Sequence, residues 1–254
     1  MKIEKTPSGY LLKVIALASM IIDHIATVII FPISESAGNQ ALEILVLVMN
    51  SIGRLAAPIY LFLLAEGYRH TRSKWKYLLR LGIFAIISEI PYDLAFSGAV
   101  FDWNYQNIFL SLFLGLLGII VCDKMLTVLK CKMSAMRDKS IKLTDKLFAV
   151  ISCLAVIGVF ATVGYILRVD GEWAAVMAAI LGWMIYEATN NGLLAFVVIL
   201  IPLSVFNPLY IIAFLFCTVM FFYRGRKGNG GHGYIWYIAY PLHLAVLALI
   251  AVLI

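Results

Sequence analysis

The sequence predicts an all-helical membrane protein, a bundle of about nine transmembrane helices with its N-terminus in the cytoplasm. The first observation is the composition, since 63% of the 254 residues are apolar and the mean hydropathy is +0.96. Soluble domains contain roughly 45–50% apolar residues, and a water-soluble fold of this length could not bury so much apolar surface. The second and third observations are the lengths of the apolar runs and the positions of the basic residues between them.

The apolar runs have the length that a bilayer demands. A hydrocarbon core of about 30 Å is crossed by roughly 20 helical residues, and helices satisfy their own backbone groups where water is absent. Nine runs meet or approach this length, at residues 11–31, 42–64, 77–96, 107–121, 147–167, 173–189, 192–205, 208–223 and 235–254. The seventh run is short and is bordered by asparagines and prolines, so a re-entrant pair there is the alternative to two crossings.

Lysine and arginine occupy alternate loops, which is the pattern of the positive-inside rule. Basic residues lie before or at the start of the first run, in the second-to-third loop and the first residues of the third run, in the fourth-to-fifth loop, and before the last run. Of the 20 basic residues, Arg54 and Arg168 alone lie elsewhere. The pattern places the N-terminus inside. It also argues against nucleic acid as a partner, because the charges orient the spans and form no basic groove interleaved with aromatic residues.

The chain is predicted to form one integral membrane domain, residues 1–254, without repeats or long linkers. Its 4 cysteines lack the spacing of metal ligands, and we expect neither a metal site nor a disulfide framework.

Ionisable residues within the runs are costly in lipid, and each is therefore a functional hypothesis. Lys13 and His24 are eleven residues apart, about three helical turns, so both lie on one face of the first helix, His24 ~16 Å deeper. A neutral imidazole accepts a proton near pH 7, which makes His24 a candidate general base. The alternative is a packing histidine with one satisfied hydrogen bond. Asp23 lies about 100° round the helix, and we expect it to pair with another span.

Arg54, in the second run, keeps its charge and needs an anionic or carbonyl partner. Glu89 and Asp93 are four residues apart on one face of the third run and are the candidate partners. Such carboxylates could instead do acid–base chemistry. Asn107 opens the fourth run, where it could cap the helix or contact a polar substrate.

The last run presents Tyr237, Tyr240 and His243 on one face. An interfacial aromatic belt accounts for Tyr237, but His243 lies within the apolar part. The preceding loop, RGRKGNGGHG, contains Arg226 and could cradle phosphate or simply orient the span. Together, the polar residues predict a shared cavity built from spans within residues 11–121 and 235–254.

Four segments resemble the TraX family of bacterial membrane proteins. They are LKVIALASMIIDHI, IGRLAAPIYLFLLAEGYRHTRSKWKYLLRLGIFAIISEIPYDLAF, QNIFLSLFLGLLGI and IWYIAYPLHL. The founding member of that family is linked to N-acetylation of conjugative pilin, and the family is similar in turn to the membrane acyltransferases that acetylate surface sugars. In that superfamily a basic residue and a histidine eleven positions on recur in the first span, where this chain has Lys13 and His24.

The resemblance implies a multi-pass protein of the bacterial inner membrane that uses acetyl-CoA and acetylates an amine or hydroxyl of an envelope peptide or glycan. The catalytic residues expected are His24, Asp23, Arg54 and Glu89. Expected substrate-binding residues are Asp93, Asn107, Tyr240 and His243. Expected acetyl-CoA contacts are Lys13, Arg69, Arg72 and Arg226.

Two other functions fit the same residues. A proton-coupled transporter or flippase could use Asp23, His24 and Glu89 as a proton relay across broken helices. The chain shows no paired halves with matching breaks, which counts against this hypothesis. In the other alternative the protein is an assembly partner, and every intramembrane charge is a packing pair.

Overall fold

The computed structural model describes residues 6–135, 143–228 and 233–253, and every regular element within these ranges is helical. The predicted all-α membrane fold is therefore confirmed. Some of the basic residues used above lie outside the described ranges, namely Lys2, Lys5, Arg137, Lys139 and Lys142, as do residues 229–232 of the glycine-rich loop.

The helical segments follow the predicted runs. Helix α1 continues through a π-helical turn into α2, and a 3₁₀ segment precedes α10. The elements are α1 Gly9–Ile25, the π turn Ala26–Ile30, α2 Phe31–Ala37, α3 Gln40–Gly53, α4 Ala56–His70, α5 Lys74–Phe96, α6 Ile108–Ala135, α7 Leu143–Ile166, α8 Glu172–Thr189, α9 Gly192–Phe206, the 3₁₀ segment Pro208–Phe216, α10 Cys217–Phe222 and α11 Ile235–Leu253.

Five helical segments of the described chain are long and apolar enough to cross a membrane. They are Gly9–Ala37, Gln40–His70, Ile108–Val128, Leu147–Ile166 and Ile235–Leu253, while Gly192–Phe206 and Pro208–Phe222 are shorter apolar helices. The total of nine crossings and the cytoplasmic N-terminus stay predictions of hydropathy and charge.

Polar caps mark where the helices begin. The Ser8 hydroxyl accepts from the Leu11 N–H, and Ser73 does the same for Lys76 at the start of α5. Asn191 caps α9 in this way. Each cap satisfies one of the backbone donors that a helix leaves free in its first turn.

Packing divides the bundle into two halves that share α4. In one half α1 packs against α3, α4 and α11, and α11 also packs along α5. In the other half α8 lies at the centre, against α4, α6, α7 and α9, and its Trp183 is fully buried. Helix α7 exposes Ile151, Leu154 and Val159, which are suited to contact lipid.

Helix α1 meets the α3–α4 break at very close range. Helix α3 ends at Gly53 and α4 begins at Ala56, so Arg54 lies in the break between them. A β-carbon placed on Gly53 would lie 2.3 Å from both the β-carbon and a carboxylate oxygen of Asp23. Only glycine allows this approach, which brings Asp23 beside Arg54.

We predict that Gly53→Ala destabilises the protein by about 1–3 kcal/mol, because the added methyl group overlaps the backbone-proximal part of Asp23. The matched control is Gly158→Ala on α7, where a β-carbon meets no atom within 4 Å and the helix propensity of alanine is favourable. Thermal unfolding in detergent compares the two variants. Equal midpoints would contradict the close approach.

Candidate functional site

The two intramembrane histidines meet at the centre of the α1–α11 contact. His24 Nδ1 lies 2.7 Å from His243 Nε2, and the ring planes are 14° apart with their centroids separated by 5.0 Å. His243 Nδ1 in turn lies 2.9 Å from the Ala239 carbonyl oxygen, one turn back along α11. His24 is buried, with 8% of its surface exposed. This short hydrogen bond connects α1 with α11, between residues that are 219 positions apart in the sequence.

Aromatic rings surround this pair. Tyr240 meets His24 and His243 edge-on, with ring centroids 6.1 and 5.5 Å away, and Phe96 packs edge-on against His24 at 5.2 Å. Tyr240 is buried, and its hydroxyl donates to no group within the described ranges. The histidines therefore lie in a largely apolar setting with one uncommitted hydroxyl beside them.

A cavity of about 360 Å³ extends from the basic end of the bundle to Tyr240. Along α1 its wall runs from Lys13 to Met20, a distance of ~10 Å. It is lined by the basic side chains of Lys13, Arg80 and Lys227, by the aromatic rings of Tyr60, Tyr77, Phe109, Trp236, Tyr237 and Tyr240, and by Met20, Leu63, Leu64, Leu81, Ile108 and Leu112 among other residues.

The basic side chains of the cavity lie against its aromatic rings. Lys13 Nζ is 5.9 Å from the Trp236 ring centroid, and the Arg80 guanidinium carbon is 5.7 Å from the centroids of Tyr77 and Tyr237. Arg80 forms no ion pair with a described carboxylate, and its buried Nε has no hydrogen-bond partner there. These cations can bind an anion without first breaking an ion pair.

Asp23 pairs with another helix, as its angle on α1 predicted. Its Oδ1 lies 3.3 Å from Arg54 Nη2, and the Arg54 guanidinium carbon lies 5.5 Å from the Tyr210 ring centroid. The predicted pairing of Arg54 with Glu89 and Asp93 is wrong. Because Gly53 packs closely against α1, Asp23 lies beside Arg54 and is its partner in place of those two carboxylates.

Glu89 and Asp93 instead hold the start of α6 and the loop before it. The Asn107 amide donates to the Glu89 carboxylate and, at 2.8 Å, to the Ala85 carbonyl. The Asn107 Oδ1 accepts from the Phe109 N–H at 3.0 Å, which confirms Asn107 as a helix cap. Asp93 is buried and accepts from the Asp102 N–H at 2.9 Å. Roles for Glu89, Asp93 and Asn107 in catalysis or acceptor binding stay predictions.

Of the four residues expected to contact acetyl-CoA, Lys13 lines the cavity that ends at Tyr240. Arg69 lines a second cavity, of about 690 Å³, where it pairs with Glu187 at 3.3 Å. Arg72 and Arg226 are exposed near the same end of the bundle.

Sequence reasoning missed Arg80 and Lys227 as cavity residues. The positive-inside pattern places both among the basic clusters that orient the spans. Arg80 follows Tyr77 by three residues in an α-helix, and this spacing places the two on one face. That spacing was the available signal for Arg80. For Lys227 no local pattern was available, because a loop conformation determines its position.

The fold and this cavity define an integral membrane protein in which a cavity with basic side chains at one end leads to Tyr240 beside the histidine pair. The family model described as "TraX protein" matches residues 8–251, and the chain belongs to the TraX family. It is 29% identical over 262 residues to "Probable fimbrial assembly protein FimC, serogroup H1" of Dichelobacter nodosus, an alignment that covers 94% of each chain. No solved structure matches.

We predict that the Asp23–Arg54 pair stabilises the bundle as a unit. Arg54→Gln or Asp23→Asn alone leaves a charge without its partner and should cost about 1–3 kcal/mol. The double variant should lose less unfolding free energy than the two single variants together, by roughly 0.5–3 kcal/mol. Chemical or thermal unfolding of the four proteins in detergent measures the coupling energy between the two residues.

The control cycle uses Arg69 and Glu187. Arg69 Nε and Glu187 Oε2 are also 3.3 Å apart, but the Glu187 side chain is 55% exposed, whereas that of Asp23 is 20% exposed. Coupling for an exposed pair is about 0–1 kcal/mol. Additive losses in the Asp23–Arg54 cycle would show that the pair does not act as a unit.

Proposed function

We propose that the protein is an acetyl-CoA-dependent acetyltransferase of the bacterial inner membrane in which His24 is the general base. The observation that carries this proposal is the cavity itself, which has cations at one end and reaches Tyr240 at the other, where the Tyr240 ring packs against both histidines. Membership of the TraX family and a relative named for fimbrial assembly support a role in modifying an envelope component.

The chemistry of the cavity suits an acyl thioester. Lys13, Arg80 and Lys227 offer cations to the phosphates of CoA, and the aromatic and aliphatic walls suit its uncharged arm. A cavity of about 360 Å³ accommodates the arm and the acetyl group and leaves the nucleotide at the surface. We place the basic end of the bundle in the cytoplasm, where acetyl-CoA is made and where Arg69, Arg72 and Arg226 would lie near the nucleotide.

His24 would act on the acceptor. The lone pair of an acceptor amine attacks the thioester carbonyl carbon, and His24 takes a proton from the attacking nitrogen. As the tetrahedral intermediate collapses, the new C–N bond remains and the C–S bond breaks. The proton passes from His24 to the departing sulfur, which gives an amide and free CoA thiol. A hydroxyl acceptor follows the same steps and gives an ester.

The Tyr240 hydroxyl can assist the same step. A buried donor that has no other partner can stabilise negative charge on the thioester oxygen as the bond forms. Arg54, one of the expected catalytic residues, is paired with Asp23, and in this proposal it holds α1 in place.

The acceptor would approach from the other end of the bundle, where Glu89 and Asp93 lie near the α5–α6 loop. The fimbrial name of the relative favours a peptide of the cell envelope as the acceptor. A proton relay through Asp23, His24 and Glu89 has less support, because each of the three has a different partner.

We expect His24→Ala to lose roughly 10²–10⁴ of the turnover, since a positioned general base contributes about that much. The assay incubates purified protein with labelled acetyl-CoA and follows label into envelope peptide and glycan fractions. A thermal shift on addition of acetyl-CoA is the control, and it should persist in the variant. Near-wild-type turnover of folded His24→Ala protein would rule out this mechanism.

Loss of a cavity cation should weaken donor binding. Lys13→Gln and Arg80→Gln each remove a charged contact worth about 1.5–3 kcal/mol, which predicts a KM for acetyl-CoA raised roughly 10-fold or more. The matched control is Lys76→Gln, one turn before Arg80 on α5, since Lys76 is exposed and does not line the cavity. A KM that rises equally in all three variants would contradict specific binding in the cavity.

A further inference from the structure

Two hydrogen bonds in series connect His24 to the backbone of α11. The first joins His24 Nδ1 and His243 Nε2 at 2.7 Å, and the second joins His243 Nδ1 and the Ala239 carbonyl oxygen at 2.9 Å. Both distances are in the range of well-formed hydrogen bonds. Since each ring nitrogen either donates or accepts, the direction of the second bond fixes that of the first.

The direction follows from the carbonyl oxygen, which can only accept. His243 Nδ1 must therefore carry a hydrogen. In a neutral ring Nε2 is then the acceptor, so the hydrogen between the two rings belongs to His24 Nδ1. Neutral rings are expected here, because no described carboxylate contacts either histidine and aromatic rings surround them. The remaining nitrogen of His24, Nε2, is left with the lone pair.

We propose that His243 is a positioning residue that fixes the tautomer of His24, with hydrogen on Nδ1 and the reactive lone pair on Nε2. The assignment of the tautomer stands on hydrogen-bond geometry alone. Its catalytic meaning rests on the proposed function, in which Nε2 is the atom that takes the acceptor's proton. His243 thereby acts through His24 and does not itself touch the thioester.

Local backbone structure supports this arrangement. The π-helical turn Ala26–Ile30 begins two residues after His24, and it packs against α11. Such turns widen a helix locally and often occur at functional sites. The turn and α11 together hold the two ring planes nearly parallel, with the two nitrogens at hydrogen-bonding distance.

Fixing the tautomer prepares the site for proton transfer. When His24 takes the acceptor's proton on Nε2, its Nδ1–H keeps the same bond to His243 Nε2, and no ring has to turn over. The positive charge that forms on His24 is then stabilised by an acceptor already in place, which lowers the reorganisation that the step requires.

The direct test is the protonation of each histidine nitrogen, read from long-range ¹H–¹⁵N correlations of the ¹⁵N-histidine-labelled protein in nanodiscs. The chain has 4 histidines, so His24→Ala and His243→Gln suffice to assign the two signals. We expect His24 to carry hydrogen on Nδ1 and none on Nε2. A wild-type His24 with hydrogen on Nε2 would overturn the proposal, whether or not acetyl transfer is observed.

Two variants of His243 separate positioning from mere packing. In His243→Gln the amide oxygen can still accept from His24 Nδ1, so the tautomer and most of the turnover should remain. In His243→Leu the acceptor is lost, both tautomers should appear, and kcat should fall at least about 10-fold with an unchanged KM for acetyl-CoA.

Equal losses in the two variants would contradict the positioning role. The tautomer measurement requires no enzymatic activity. The expected tautomer in a protein that transfers no acetyl group would therefore count against the proposed function and leave the assignment of His24 intact.

Discussion

Polar side chains within a hydrocarbon core have no water to bond, so they pair with one another or with backbone groups, and the pairs between helices tie the bundle together. Among the described residues, three pairs of such groups connect one helix with another or with a helix break. The pairs are His24–His243 between α1 and α11, Asp23–Arg54 between α1 and the α3–α4 break, and Glu89–Asn107 between α5 and the start of α6. Each pair fixes the position of one helix relative to another.

In the proposed mechanism helix α1 serves both stability and chemistry, because Asp23 and His24 are adjacent in sequence. About 100° separates neighbouring side chains on a helix, so the carboxylate reaches the α3–α4 break while the imidazole reaches α11. Anchoring one side through Arg54 holds the other against His243. A substitution that loosens the Asp23 contact is therefore expected to disturb the His24 contact as well, although the two pairs share no atom.

The sequence was sufficient to predict the helices, since the length and apolarity of each run are local properties. It was also sufficient to predict that Asp23 turns away from His24. It was not sufficient to select Arg54's partner, because Gly53 sets the helix–helix distance that decides between Asp23 and Glu89. The cavity role of Lys227 depends on a loop conformation, and such long-range placement is absent from residue spacing.

If the proposed function is correct, the cavity between Lys13 and Tyr240 holds the acyl donor with its carbonyl beside His24. The most direct measurement is an experimental structure of the protein in nanodiscs with an unreactive acetyl-CoA analogue, in which the thioester is replaced by a thioether ketone. We expect the arm of the analogue to lie along α1, with its phosphates at Lys13, Arg80 and Lys227 and its carbonyl next to the histidine pair. An analogue bound in the second cavity, at Arg69, or no bound analogue at saturating concentration, would show that the cavity between Lys13 and Tyr240 is not the donor site.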